Sequence, residues 1–379
     1  MERKRLARGL TQWVELVDRQ AGVVGGSPTN ITHVRPLIGS IQMLRAAAAL
    51  AVVSMHVLGM TTVASESYVW KCLSAISRSY GHAGVDIFFV ISGIIMYLLS
   101  RPTHSDTRTV TAFSYISRRL LRIYPLFWIT LVFSVMTMDR VVYPFSLSNI
   151  LGLILYVSPP EHPVSWTLPY EVRFYVVIFF VQLATRHYVE VAFLLLGIAQ
   201  FVATMLASLG IIEQNMFDYV LMSEFSLGLF VGALIVRRVV IYPYLLLFSA
   251  IAWFLISFSA VYSHPDLVTL SRGVLFGLPA AMLLYSVITL ENLGKIKIPA
   301  ILVGMGDFSY SIYLWHYPLA LFVLHRWTQS SDRSGNGLIY IAEVVSTTMA
   351  VSIVSYVAIE KPGIQLGRML TRRRSTGSV

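Results

Sequence analysis

A chain of 379 residues that is 56% hydrophobic and only 13% charged, with a mean hydropathy of +0.69, is too apolar for a soluble domain and reads as a polytopic membrane protein. Its formal net charge of +10 does not point to nucleic acid, because the arginines stand beside apolar runs, as they do in cytoplasmic loops. A single cysteine, Cys72, excludes an intramolecular disulfide framework and leaves stability to helix packing.

In chain order, residues 1–36 read as a cytoplasmic tail. They hold Arg3, Lys4, Arg5, Arg8, Asp18 and Arg19 without the compact apolar core of a cleavable signal peptide, so the first span is expected to serve as the insertion signal. Leu10, Trp13, Val14 and Val17 fall at helical spacing there, which suits a short interfacial helix. Apolar runs of roughly 20 residues, the length that crosses the hydrocarbon core, follow near 37–61, 82–100, 123–140, 172–188, 190–212, 218–236, 241–263, 267–290, 304–325 and 337–359. The fold class is therefore an all-α bundle of about ten transmembrane helices. Residues 37–365 form one membrane domain and 366–379 a basic tail.

With the amino end cytoplasmic, this count puts Arg101, Arg108, Arg118, Arg119, Arg122, Arg186, Arg237, Arg238, Lys295, Lys297 and Arg372 to Arg374 on the cytoplasmic side, and the carboxyl end with them. The shorter piece at 146–158, bounded by Pro144, Pro159 and Pro160, would invert the later loops if it spanned. It is read as a re-entrant or interfacial helix on the outer side.

Ionisable residues inside apolar runs are costly and mark candidate chemistry. In LRAAAALAVVSMH, Arg45 and His56 lie eleven residues apart, which on an ideal helix is about 1100°, so they share a face about 16 Å apart along the axis. The plain alternative is a snorkelling arginine and a histidine bonded to a backbone carbonyl. GHAGVDIFFVISG sets Gly81, Gly84 and Gly93 around Asp86 at the mouth of the second span; the glycines read as close helix packing and Asp86 as either a polar lining residue or a solvated helix start.

SRRLLRIYP places Arg119 and Arg122 three apart, ending at a proline where the third span begins. This pair is either a topology signal or a guanidinium fork for phosphate on a cytoplasmic donor. SWTLPYEVRFY puts Glu171 among Trp166, Tyr170 and Tyr175 on the outer side, where aromatic faces beside a carboxylate suit a sugar. GDFSYSIYLWHYPL sets Ser309, Ile312, Tyr313 and His316 along one helical stripe, with His316 either a satisfied core histidine or a substrate-lining one. The histidines show no ligand spacing with acids or cysteine, so no metal site is expected.

These motifs, with the closing IEKP, stand in the order seen in the membrane-bound acyltransferase 3 family. Over residues 37–365 the chain resembles that family's exopolysaccharide-production acetyltransferase branch. The resemblance implies transfer of an acyl group, often acetyl from acetyl-CoA, to the carbohydrate of a cell-surface or secreted glycan. It implies a multi-pass protein of the bacterial inner membrane, whose partners are acyl-CoA, a carbohydrate acceptor, membrane lipid and polysaccharide-synthesis machinery. By motif, the family's first-span arginine and histidine match Arg45 and His56, and its RxxR matches Arg119 and Arg122. Where the family more often has a small residue before Glu-Glu or Glu-Gln, this chain has Pro169 and Tyr170 before Glu171, and Val172 and Arg173 after it.

The expected site is therefore His56, Arg45 and Glu171 as catalytic residues and Arg119 and Arg122 as donor-binding residues, with Trp166, Tyr175, Ser309, Tyr313, His316 and Asp86 lining the substrate path. Direct attack by a sugar hydroxyl and an acetyl-histidine intermediate both remain open. The competing class is a transporter or flippase for a glycan or small metabolite, using the same residues as a polar pathway.

Overall fold

The structure is a computed structural model that describes residues 36–64, 67–100, 108–137, 163–184, 189–208, 211, 216–265, 272–329 and 337–375. The tail at 1–35 and the piece at 146–158 lie outside the described residues.

Among the described residues the secondary structure is entirely helical. The elements are α1 (Pro36–Ala64), α2 (Tyr68–Leu99), α3 (Arg108–Thr137), a 3₁₀ turn (Pro163–Thr167) leading into α4 (Leu168–Ala184), α5 (Val189–Ser208), α6 (Met216–Val236) and α7 (Pro243–Ser263). A π-helical turn (Gly273–Gly277) then opens α8 (Leu278–Asn292), followed by α9 (Ala300–Asp307), α10 (Ser309–Gln329) and α11 (Gly337–Ser355). A second π turn (Tyr356–Glu360) leads into α12 (Lys361–Ser375).

Among the described residues, seven helical stretches are long and apolar enough to cross a membrane: Gly39–Thr62, Tyr68–Leu99, Ala112–Thr137, Val164–Ala184, Pro243–Ser263, Gly273–Asn292 and Gly337–Leu370. The protein is thus a multi-pass membrane protein, since a helix satisfies its own backbone hydrogen bonds in lipid. The remaining sequence runs also fold as helices, but the apolar stretches of α5 and α6 are shorter, and α10 is too rich in Ser, Tyr and His. The sequence-based count of about ten spans is therefore matched by helices but met in length and apolarity by seven.

Two boundaries differ from the sequence reading in ways that move the site. The second span does not start near Gly81: α2 begins at Tyr68. Its first half carries polar residues inside the bundle, where Ser77 and Ser79 satisfy their hydroxyls on the Ser74 and Ile76 carbonyls. Asp86 consequently lies deep inside a 32-residue helix and is not a helix-start residue. The third span does not start at Pro125 either, because α3 runs unbroken through it. Proline removes the bond to the carbonyl four residues back, here Leu121. Gly363 of α12 packs directly on that carbonyl oxygen, and Tyr310 donates its hydroxyl to the nearby Ile123 carbonyl at 2.9 Å. The arginines that precede Pro125 are therefore carried inside the bundle.

The core is assembled around α2. Gly84 lets α2 approach the Ala48 carbonyl of α1, and Gly93 meets Gly228 of α6 so closely that a Cβ at Gly93 would lie 2.8 Å from the Gly228 Cα. Such backbone approach is how small residues join membrane helices. Ala46, Ala48 and Ala49 are buried on α1, as close packing of its alanine-rich stretch requires. Phe180, Leu255, Ile256 and Ile301 point outward, as lipid-facing side chains do. The stretch read as a basic tail, 366–379, begins inside a helix: α12 extends to Ser375 and Gly367 lies against Arg118 of α3.

Candidate active site

A pocket opens between α1, α2, α3, α4 and α10, as small-molecule sites do between the helices of bundles. Its polar lining is Arg45 from α1, Ser92 from α2, Arg119 and Arg122 from α3, Thr167 from the 3₁₀ turn, Glu171 and Tyr175 from α4, and Tyr310 and Tyr313 from α10. Three guanidinium groups thus face a single carboxylate. Like charges at this density are costly in a bundle unless an anion or nearby carboxylates offset them.

Each charged residue is held by neighbours. Arg45 is buried and contacts the Gln42 side-chain oxygen at 3.4 Å, while the Gln42 amide donates to Asp307 at 2.6 Å. Arg119 is also buried and sits over the Tyr175 ring, 5.7 Å from its centroid. Arg122 pairs at 3.9 Å with Glu360, whose second oxygen accepts from Ser311 at 3.0 Å. The Tyr175 hydroxyl donates to Glu171, which also takes a longer bond, 3.4 Å, from Ser92. The pairing with Arg122 gives the glutamate of the IEKP motif a structural role.

The sequence-selected residues divide into those that this cavity collects and those that it does not. Arg45, Arg119, Arg122, Glu171, Tyr175 and Tyr313 line it. Arg119 and Arg122 lie within α3, which begins well before them, and Glu171 of α4 lines the same pocket.

His56 is not on the cavity wall. Its Nδ1 lies 3.0 Å from the Val52 carbonyl oxygen and 3.1 Å from Nε2 of His316. The His316 ring neighbours Tyr313 (5.9 Å between centroids), and Tyr313 neighbours Phe88 (5.9 Å). Tyr313 and Phe88 line the cavity, so they form the partition between it and the histidines. Tyr313 is pinned, because its hydroxyl donates to the Val164 carbonyl at 2.8 Å and lies 3.0 Å from the Thr167 hydroxyl.

His316, expected to line the path, thus lies behind the partition, and three more such residues are placed elsewhere. Ser309 turns its hydroxyl onto the Gly306 carbonyl at 2.8 Å, where it joins α9 to α10. Asp86 is fully buried and forms a two-point ion pair with Arg272, at 2.8 and 3.0 Å. Trp166 covers the same guanidinium, 5.7 Å from its ring centroid. Glu224 is buried beside this pair. Sequence reasoning missed Arg272 and Glu224, although the rule that singled out Asp86 applies to both: each is an ionisable residue in an apolar run.

Helices that line a pocket with charged residues inside a membrane bundle define a membrane-embedded enzyme or carrier, and comparison decides between them. The chain belongs to the acyltransferase 3 family: the family's acyltransferase domain matches residues 38–359. The protein is accordingly a membrane acyltransferase. It is similar to the exopolysaccharide production protein ExoZ of Rhizobium meliloti (strain 1021), with 29% identity over 320 residues that cover 78% of this chain and 93% of that protein. No solved structure matches.

Proposed function

We propose that the protein is an O-acetyltransferase of the bacterial inner membrane. It would cross the membrane about ten times with both ends cytoplasmic, and move acetyl from cytoplasmic acetyl-CoA to a hydroxyl of a cell-surface or secreted polysaccharide or its lipid-linked precursor. The observation that carries this reading is the convergence of Arg45, Arg119 and Arg122 on one cavity, since guanidinium groups bind phosphate oxygens in pairs and a coenzyme A donor brings several phosphates. The similarity to an exopolysaccharide production protein supports a glycan acceptor.

In this reading Arg119 and Arg122 hold the donor's phosphates and Arg45 orients its arm. Tyr313 is pinned, so the half-buried Phe88 is the part of the partition that moves to bring the thioester to His56. The acceptor hydroxyl is positioned from the Glu171 side. His56 Nε2 takes the hydroxyl proton, the oxygen attacks the thioester carbon, the C–O bond forms and the C–S bond breaks. The departing sulfur receives the proton back from His56. General base catalysis of this kind is typically worth a factor of about 10² to 10⁴.

The test compares purified wild type with His56→Ala for acetyl-CoA consumption in the presence of glycan. A drop of about 10² or more is expected; unchanged turnover would remove His56 as the base. Deleting the gene separates the classes: loss of O-acetyl groups from surface polysaccharide supports the enzyme, and loss of export with acetylation intact supports a transporter.

A further inference from the structure

The His56–His316 contact lies behind the donor cavity and carries more information than a packing contact. His316 Nδ1 is 3.2 Å from the Ile312 carbonyl oxygen, and His56 Nδ1 is 3.0 Å from the Val52 carbonyl oxygen. A carbonyl can only accept, so the proton assignment follows from the neighbours: each Nδ1 carries the hydrogen. A neutral imidazole has one N–H, which leaves His316 Nε2 as a lone pair. That lone pair is 3.1 Å from His56 Nδ1, and the His56 N–H is shared between it and the Val52 carbonyl. Every donor and acceptor in the chain from Ile312 to Val52 is satisfied by this one arrangement.

We infer that His316 is a positioning residue: with the Val52 carbonyl it holds His56 in the Nδ1–H tautomer, so that the Nε2 lone pair of His56 is the atom offered to the acceptor hydroxyl. The inference rests on the reading of His56 as the base. The geometry has three supports. The rings meet at a 43° tilt with centroids 5.1 Å apart, so the contact is a directed hydrogen bond rather than a stack. Tyr317 closes on the His56 ring edge-on, at 5.1 Å and 87°, and limits its rotation. Among the described residues His56 Nε2 makes no hydrogen bond, whereas His316 is completely buried, so only the first ring has a nitrogen left to act.

The arrangement matters because imidazole in water favours the opposite tautomer, with the hydrogen on Nε2. That form could not accept the hydroxyl proton at Nε2. Fixing a catalytic histidine through the hydrogen bond on its other nitrogen is a general device; here a neutral histidine on α10 takes the place usually filled by a carboxylate. When His56 takes the acceptor's proton, its Nδ1–H bond to His316 strengthens. At 3.1 Å two imidazolium rings would repel, so the pair carries one extra proton and returns it to the departing sulfur.

The test uses the full-length protein in lipid nanodiscs, labelled with ¹⁵N-histidine, with the His56 signals assigned by their loss in His56→Ala. Wild type should show His56 as a single Nδ1–H tautomer; finding Nε2–H would overturn the inference without any further variant. In His316→Phe, with only the Val52 carbonyl left to hold the hydrogen, an Nε2–H fraction should appear beside the Nδ1–H form, and kcat for acetyl-CoA consumption with exopolysaccharide should fall about 10- to 100-fold with little change in KM. His316→Gln, which keeps an acceptor oxygen near the Nε2 position, should recover about 10-fold of that loss. An unaltered tautomer or unaltered kcat in His316→Phe would overturn the inference. Full turnover in His56→Ala would instead sink the proposed function and leave the tautomer result standing.

Discussion

The buried pair of Asp86 and Arg272 gives the strongest quantitative prediction about this bundle. Both side chains are out of solvent, Asp86 at 0% and Arg272 at 3% exposure, and the two charge-assisted bonds of 2.8 and 3.0 Å are of the strong two-point kind. Removing one partner of such a pair leaves an uncompensated buried charge, at a cost of about 3–5 kcal/mol. Asp86→Leu and Arg272→Leu should each lose stability in that range, about two to four powers of ten in the folding equilibrium at 1.36 kcal/mol per decade. Arg272→Leu also gives up the Trp166 face, worth about 0.5–2 kcal/mol, and leaves Glu224 beside Asp86, so it should be the worse of the two.

The double variant removes both charges at once and should be no less stable than Arg272→Leu alone. The coupling energy would then be at least the Asp86→Leu loss, about 3 kcal/mol, well beyond the few tenths expected of independent sites. Reversible unfolding in mixed detergent and dodecyl sulfate micelles, followed through the tryptophan fluorescence, measures all four species. Additive losses, with a coupling below about 0.5 kcal/mol, would refute the claim that these residues stabilise the bundle as a pair.

Two further outcomes follow from the same geometry. Gly93→Ala places a methyl group 2.8 Å from the Gly228 Cα and should cost about 1–3 kcal/mol in the same titration, whereas Gly304→Ala, whose Cβ meets no atom within 4 Å, should be near neutral. Arg119→Ala with Arg122→Ala should weaken acetyl-CoA binding by about 10- to 100-fold, read by calorimetry, and flatten its salt dependence; an unchanged affinity would separate this cavity from the donor.

Much of the site was legible because ionisable residues in apolar runs have few reasons to exist. Arg45 and His56 stood out on α1 by that rule alone, and Arg119, Arg122, Glu171 and Tyr313 do line a cavity with Arg45. What misled was the use of run boundaries as element boundaries. Apolarity stops near Gly81 and before Ile123, but helical hydrogen bonding does not: α2 runs back to Tyr68 with the Ser77 and Ser79 hydroxyls satisfied on its own carbonyls, and Gly363 and Tyr310 cover the backbone around Pro125. Shifting those boundaries moved Asp86 from a helix mouth to the centre of an ion pair and drew the arginine pair into the bundle.

The sequence by itself determined the class: hydropathy demanded membrane helices, the spacing of Arg45 and His56 set them on a common face, and the order of motifs marked the family. Only the tertiary structure decided the partners. Arg272 reaches Asp86 across 186 residues and His316 meets His56 across 260, and no local periodicity encodes such pairings. They arise because a buried charge or a buried N–H must find its complement somewhere in the bundle, and which complement it finds depends on how α1, α2 and α10 pack.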